Sequence, residues 1–326
     1  MKMDISVVLP VYQEQATIGG LLSELVQTLD ANGAEYEVIA VDDGSKDGTL
    51  RELQAARDRL GSKINVVRHL YNKGNGAALR TGMRVAQGEI VVCMDADGQH
   101  SPAEIAALVS SIPPYDLVIG ARLDGYRGPM HRRLANRIFN WLASWLSRTE
   151  VSDLTSGFRA MRRSVALHFL PLFPDGFSVP TTTTLAFLKG GYNVAFVPIQ
   201  GRRRSGGRSK IRLWSDGLEF FSLILRIIAL YDPLRIFLPT GAILGLLGIV
   251  AGAAGMLRAG RLVLANSAML FFLAAIFTWL LGLIASQVAA SLVQYRGDES
   301  LLLNEEAFSS VGMAASGGLP IKGEGD

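Results

Sequence analysis

The N-terminal part of the chain repeats one hydrophobic rhythm. An apolar run at residues 5–9 is followed by the turn Pro10-Val11-Tyr12-Gln13-Glu14, and then by Ile18, Leu21, Leu22, Leu25 and Leu29 at helical spacing. Residues 36–41 repeat the strand pattern and end in Asp42-Asp43-Gly44-Ser45, before a helix that starts near Gly48 and Thr49. A third run, residues 64–68, leads into Asn72-Lys73-Gly74-Asn75-Gly76 and a helix over 77–86. The fourth, residues 90–94, is β-branched and ends in Asp95-Ala96-Asp97-Gly98-Gln99-His100. This alternation predicts an α/β fold, a mostly parallel sheet with helices on both faces and its turns gathered at one edge. One more strand is predicted at 116–121, after which the pattern changes.

From His131 the chain turns basic and helical, through Arg132, Arg133, Asn136 and Arg137, and then carries Ile138, Phe139, Trp141, Leu142, Trp145 and Leu146. A helix both basic and aromatic suits a lipid interface, and the basic run alone also fits a solvated face. In residues 211–230, Ser215, Glu219, Ser222 and Arg226 recur opposite Leu218, Phe221, Ile224, Leu225 and Ile228, which predicts an amphipathic helix in the interface plane. Two apolar stretches follow, 236–257 and 262–290, each long enough to cross roughly 30 Å of hydrocarbon as a helix. Gly241, Gly245, Gly248, Gly252 and Gly255 in the first include two G-x-x-x-G pairs, so close helix packing and self-association are expected. The expected organisation is a head at 1–210, interfacial helices at 211–235, a membrane hairpin at 236–292 and a disordered tail at 293–326. A strand begins directly after Met-Lys-Met-Asp with no secretory signal pattern, which places the head on the cytosolic side. Arg296 agrees with that side, whereas Arg258 and Arg261 oppose it.

A formal net charge of +3 over 326 residues gives no reason to expect nucleic acid as a partner. The single cysteine, Cys93, excludes an internal disulfide and lies inside the fourth strand as core packing. The candidate chemistry is acidic. Asp95 and Asp97 follow a buried strand, and hard oxygens at that spacing suit Mg²⁺ or Mn²⁺, although an isolated D-x-D also fits a solvated Asp-Gly turn. A calcium loop would need Gly at His100 and Glu at Ala106. Taken together, the turns describe a nucleotide diphosphate site: Tyr12 for stacking, Asp43 as acceptor for a base edge, a glycine turn for close backbone approach, and Asp95 with Asp97 for a metal on the diphosphate. There is no G-x-G-x-x-G or G-x-x-x-x-G-K-[ST], so neither a dinucleotide fingerprint nor a P-loop is present.

Four ordered motifs carry a resemblance: Val-Leu-Pro-Val-Tyr-Gln-Glu, Val-Asp-Asp-Gly-Ser-Lys-Asp-Gly-Thr, Gly-Ala-Ala-Leu-Arg-Thr-Gly and Met-Asp-Ala-Asp-Gly-Gln-His. The chain resembles family 2 inverting glycosyltransferases over residues 4 to about 212, in particular dolichyl-phosphate mannose synthases and their bacterial polyprenyl-phosphate relatives. The resemblance implies a GT-A type fold, a nucleotide sugar donor, and Mg²⁺ or Mn²⁺ held by Asp95, Asp97 and Gln99. It implies a nucleoside cradle at Pro10, Tyr12, Glu14, Asp42 and Asp43, with Gly74, Gly76 and Arg80 of the glycine turn and its helix also at the donor.

On the acceptor side the resemblance assigns a lipid phosphate to Arg122, Arg132 and Asn136, where asparagine replaces the usual serine of the motif. Ser152-Asp153-Leu154-Thr155-Ser156-Gly157-Phe158-Arg159 resembles the acceptor-side motif, with Asp153 as the acid near the attacking phosphate; a helix cap or a partner for Arg159 is the plainer role. Arg204-Ser205-Gly206-Gly207-Arg208-Ser209-Lys210 fits R-x-x-G-x-S-K, so Arg204, Ser209 and Lys210 are expected at phosphates. The expected activity is inverting transfer of a sugar from a GDP-mannose or UDP-hexose type donor to a polyprenyl or dolichyl phosphate. A processive polysaccharide synthase would carry Q-x-x-R-W and more membrane helices, and a scaffold would not need three acidic turns at successive strand ends.

Overall fold

The computed structural model describes residues 4–122, 130–176, 178–200, 233–259 and 265–288. The basic loop with Arg204, Ser209 and Lys210, the amphipathic segment 211–230, the reversal at Arg261 and the tail 293–326 lie outside the described residues.

Among the described residues there are seven strands, β1 (Ile5–Val11), β2 (Tyr36–Asp42), β3 (Ile64–Arg68), β4 (Ile90–Cys93), β5 (Leu117–Arg122), β6 (Arg159–Arg162) and β7 (Val194–Ile199). They form one sheet in the order β3-β2-β1-β4-β6-β5-β7. β1 pairs in parallel with β2 and β4, β2 with β3, and β5 with β7, while β6 runs antiparallel to both β4 and β5. The mostly parallel α/β fold is as expected. The reversed strand and β7 were not foreseen.

Helices α1 (Ile18–Ala31), α2 (Thr49–Leu60) and α3 (Asn75–Val85) make the crossovers among the first four strands. The short α4 (Ile105–Val109), then α5 (Met130–Ser147), α6 (Arg163–Phe169) and α7 (Val179–Lys189) follow. Strand periodicity sorts the core into two layers. Val7, Leu9 and Val11 of β1 join Leu21, Leu22 and Leu25 of α1 on one face, while Val8 joins Ala78 and Met83 of α3 and Phe187 of α7 on the other. Each fully buried leucine or valine contributes about 1.5–3 kcal/mol, so a one-residue slip of β1 would exchange both layers and is strongly opposed.

The order reverses at β1: the chain winds outward to β2 and β3, then returns to β4 on the other side. The carboxyl ends of β1 and β4 flank this switch point, where ligands of open α/β sheets collect. Tyr12 and Asp95 follow those two ends.

The long apolar helices Leu234–Ala259 and Asn266–Val288 belong to a second compact unit. Their candidate spans, Leu234–Arg258 and Asn266–Val288, have mean hydropathies of 2.1 and 2.4. Each is long enough to cross a membrane, with most side chains facing outward. A Cβ added at Gly241 would strike the Trp279 indole, one at Gly248 would lie 3.2 Å from the Phe272 ring, and one at Gly255 would lie 2.9 Å from the Ala265 Cβ. On both helices these positions are seven residues apart, so the glycines form one seam that receives its knobs from the other helix of the same chain. Gly252 lies on that seam too, 3.6 Å from the Ala268 Cβ, whereas Gly245 has nothing within 4 Å. The close packing expected of the G-x-x-x-G pairs is therefore made within the hairpin, and among the described glycines of the first span Gly245 is left with nothing within 4 Å.

Candidate active site

β1 ends at Val11, whose carbonyl accepts from the Asp43 amide at 2.8 Å, binding the first two acidic turns together. Pro10 and Tyr12 are half-buried at this edge. The Gln13 amide donates to Ser45 Oγ at 3.0 Å, the Glu14 amide donates to Thr49 Oγ1 at 3.0 Å, and Thr17 Oγ1 donates to the Glu14 carboxylate at 2.9 Å. The start of α2 thus fixes the loop of Tyr12 and Glu14.

Asp42 and Asp43 are both buried. Asp42 Oδ1 accepts from the Ser45 amide at 3.0 Å, while its Oδ2 has no hydrogen-bond partner and lies 3.6 Å from Arg68 Nε. Asp43 is committed to the chain itself. Its Oδ1 meets His69 Nδ1 at 2.7 Å and the Lys73 amide at 2.9 Å, and its Oδ2 accepts from the Gly74 amide at 2.8 Å. Three of its four acceptor positions are occupied within the chain, one by His69 and two by amides of the glycine turn. Because a carboxylate only accepts, Nδ1 of His69 carries a proton, and its Nε2 lies 2.9 Å from Thr81 Oγ1. His69 was missed by the sequence reading, since its partner lies 26 residues away.

The close approach anticipated at Gly74 and Gly76 is made by the chain's own segment at 174–176. Gly74 has φ +101°, and a Cβ there would run into the Asp175 carbonyl; at Gly76 one would meet the Pro174 carbonyl and, at 2.7 Å, Val179 Cγ2. The Gly76 amide donates to the Asp175 carbonyl at 2.8 Å, and Arg80 binds the Phe173 carbonyl and the Asp175 carboxylate. These contacts make Gly74, Gly76 and Arg80 a clamp on that segment.

Asp95, Asp97 and Gln99 follow β4, and Asp97 Oδ1 accepts from the Gln99 amide at 3.1 Å in a turn completed by Gly98 at φ +74°. The reversed β6 then brings the segment 152–158, expected from the sequence on the acceptor side, to the same edge. Arg159 pairs with Cys93, and a Cβ on Gly157 would lie 2.6 Å from Asp95 Oδ2. His100 is buried and stacks on Phe158 at 5.0 Å between ring centroids. Burial, with the nearby Arg122 charge, pushes the imidazole down to about 4 against the pull of Asp97, so it is neutral at physiological pH. Burial pushes the Cys93 thiol up to about 12, which agrees with packing rather than nucleophilic chemistry.

At the end of β5, Arg122 Nε donates to Asp153 Oδ2 at 2.9 Å, while its Nη2 reaches Asp153 Oδ1 at 3.3 Å and Thr155 Oγ1 at 3.1 Å. Asp153 therefore partners Arg122, not Arg159. Burial raises the Asp153 carboxyl, but the Arg122 hydrogen bonds and charge outweigh it and hold the group below the usual carboxylate range. Ser156 Oγ donates to the Gly120 carbonyl at 2.6 Å, and Asn140 of α5 grips the segment twice, donating to the Ser152 carbonyl at 2.7 Å and accepting from the Leu154 amide at 3.1 Å. Arg132 and Asn136 lie four residues apart on α5. Ile138, Trp141 and Trp145 of α5 are half or more exposed.

Among the described residues no group of three His, Cys, Asp or Glu forms a metal centre. Two carboxylates and an amide on one turn still fit Mg²⁺ or Mn²⁺, which keep few protein ligands and complete their shells with water and substrate phosphates.

A mostly parallel sheet with one reversed strand, and an acidic pair at its switch point, defines a GT-A type fold. The glycosyl transferase family 2 model matches residues 6–169, and a model described as the GtrB C-terminal hairpin matches residues 232–291. The chain belongs to glycosyl transferase family 2.

The chain is 30% identical over 255 residues to the undecaprenyl-phosphate 4-deoxy-4-formamido-L-arabinose transferase of Edwardsiella ictaluri, covering 75% of this chain and 73% of that one. The protein of the same name from Aeromonas hydrophila is 35% identical over 162 residues, 49% of each chain. Among solved structures, glucosyl-3-phosphoglycerate synthase from Mycobacterium tuberculosis, crystallised with Mn²⁺ and UDP-glucose, is similar at a TM-score of 0.52 and 25% identity, covering 70% of this chain and 77% of that one.

Proposed function

We propose that this glycosyltransferase moves a sugar from a nucleotide diphosphate donor, of GDP-mannose or UDP-hexose type, to a polyprenyl phosphate at a membrane surface with inversion at the anomeric carbon. The observation that carries this reading is a meeting on one sheet edge: the Gly157 backbone rests against Asp95, and the same segment carries Asp153, the partner of Arg122 from the end of β5. The relatives named for undecaprenyl-phosphate sugar transfer and the hairpin match support a lipid phosphate acceptor.

An oxygen of the acceptor phosphate attacks the anomeric carbon while the bond from that carbon to the donor diphosphate breaks, releasing nucleoside diphosphate. The acceptor carries about −1.5 to −2 charges at neutral pH and needs no strong base. Positioning dominates. Tyr12, Glu14 and Asp42 line the nucleoside end, with Asp43 fixing its floor. Arg122, oriented by Asp153, holds the nucleophile together with Arg132 and Asn136 of α5, and the expected Arg204, Ser209 and Lys210 add charge. Asp95, Asp97 and Gln99 would hold Mg²⁺ or Mn²⁺, which supplies charge stabilisation to the leaving diphosphate; the Mn²⁺ in the solved relative supports that choice. The head faces the cytosol, and the hairpin keeps it at the bilayer.

The test uses purified full-length protein in detergent with undecaprenyl phosphate and a panel of UDP- and GDP-sugars. One donor should release nucleoside diphosphate only when acceptor and divalent metal are both present. Release that is independent of the lipid phosphate, or none from any donor, would sink the assignment.

A further inference from the structure

Arg159 is 2% exposed, a guanidinium enclosed within the sheet. Its Nη1 donates to the Pro180 carbonyl at 2.9 Å and to Thr184 Oγ1 at 3.3 Å, its Nη2 donates to the Ser156 carbonyl, and its buried Nε has no hydrogen-bond partner. All of these partners are neutral. A buried cation satisfied only by dipoles is strongly unfavourable unless opposite charge lies near. β6 supplies that neighbourhood. Arg159 pairs with Cys93, two residues before Asp95, and Gly157, two residues before Arg159, carries the backbone against which the Asp95 carboxylate rests.

We propose that Arg159 is a positioning residue of the site, whose buried charge is balanced by the nearby carboxylates of Asp153 and Asp95 and holds Asp95 against the acceptor-side segment before a metal arrives. Through the Ser156 carbonyl the same guanidinium fixes the segment that carries Asp153, so one buried charge sets the spacing of the donor and acceptor halves. Burial lowers the Arg159 guanidinium to about 10, with Cys93, Asp153 and Asp95 opposing the fall, so it stays charged at neutral pH. A fixed cation behind a metal-ligating carboxylate has a second consequence: it weakens that carboxylate's hold on a dication, trading metal affinity for order. This inference rests on the reading of Asp95 as a metal ligand.

Two measurements on the full chain in detergent test it. In Mn²⁺ titrations followed by electron paramagnetic resonance, Arg159→Met should bind Mn²⁺ about tenfold more tightly, because a repelling unit charge is gone from a partly buried site. Its turnover should fall about tenfold or more as the carboxylate loses its support. Arg159→Lys, which keeps the charge, should bind Mn²⁺ as the parent does. Loss of a purely structural contact would weaken metal binding instead.

The second measurement leaves Arg159 in place and so does not depend on a core variant folding. In metal-free protein, Asp95→Asn should lower the Tm by about 3 °C as Arg159 loses a counter-charge, a larger fall than that produced by Asp97→Asn. Equal shifts for the two asparagine variants, or unchanged or weaker Mn²⁺ binding by folded Arg159→Met, overturn the proposal. A parent chain that binds no Mn²⁺ would instead refute the metal reading of the site, and the melting pair would still decide on Arg159.

Discussion

Arg122 and Asp153, 31 residues apart in sequence, form a two-point ion pair at the carboxyl end of β5, with Nε to Oδ2 at 2.9 Å and Nη2 to Oδ1 at 3.3 Å. The acid and the arginine, both read from the sequence as facing the acceptor phosphate, therefore face each other. Asp153 also accepts from the Thr155 amide at 3.1 Å, so the carboxylate is ordered before it orders the guanidinium. Under the proposed function its first task is orientation, with proton transfer secondary for a nucleophile that is already anionic.

Asp153→Asn keeps the shape and removes the charge. A hydrogen bond to a charged group contributes about 1.5–3 kcal/mol, so the acceptor-dependent kcat/KM should fall about 10- to 100-fold. Donor affinity, measured by calorimetry with nucleoside diphosphate and Mn²⁺, should be unchanged. Loss of donor binding with acceptor use retained would place the pair on the wrong half of the site.

The same pair sets an acid limit. The Asp153 carboxyl is lower in the folded chain than in the unfolded one, so its contribution to stability is complete above the unfolded value near 3.9 and is lost as pH falls through the folded value. Thermal melts should show the parent losing Tm below about pH 4 more steeply than Asp153→Asn. Parallel curves for the two proteins would show that the pair contributes nothing to folding.

Gly157 is required by a neighbour rather than by its own backbone angles. Its Cβ would stand 2.6 Å from Asp95 Oδ2, so Gly157→Ala must displace the carboxylate. Mn²⁺ affinity should drop about 10- to 100-fold, as for other disturbances of a ligand's support, with circular dichroism unchanged. Asp97→Asn should lower both affinity and turnover by removing a ligand charge. Parental Mn²⁺ binding by Gly157→Ala would dissociate Asp95 from the metal.

The first four strands were legible because each is an apolar run closed by a turn, and both layers of the sheet demand apolar residues there. β6 was not legible. Its Arg-Ala-Met-Arg reads as polar, and only the fold reveals that Arg159 is enclosed by carbonyls from α7 and the preceding segment. α7 hides for a related reason: Thr182, Thr183 and Thr184 are poor helix formers, yet each hydroxyl donates to the carbonyl four residues earlier, which hides the polar group inside the helix. Gly74 and Gly76 announced a close approach, but the group that approaches lies a hundred residues downstream, and no local pattern identifies it. The acidic ends of β2 and β4 were legible because carboxylates after buried strands have few structural reasons to be there. That Asp43 also holds a turn is visible only in its bonds to His69 and to the Lys73 and Gly74 amides.

The hairpin glycines separate packing within the chain from association between chains. Gly241, Gly248 and Gly255 meet Trp279, Phe272 and Ala265, and Gly245 meets nothing within 4 Å. A leucine at Gly248 has to displace the Phe272 ring, which costs about 1–3 kcal/mol of overpacking, so Gly248→Leu should lower the melting temperature of the full chain in detergent. Gly241→Leu should in addition disturb Trp279, whose indole N–H donates to the Leu238 carbonyl at 3.1 Å, and shift its fluorescence. Gly245→Leu should leave the melt and the spectrum as they are. If the chain self-associates through this helix, Gly245→Leu should change only the oligomer, read by light scattering in detergent. A Gly245→Leu chain that melts like Gly248→Leu would show that the seam has been drawn on the wrong face of the helix.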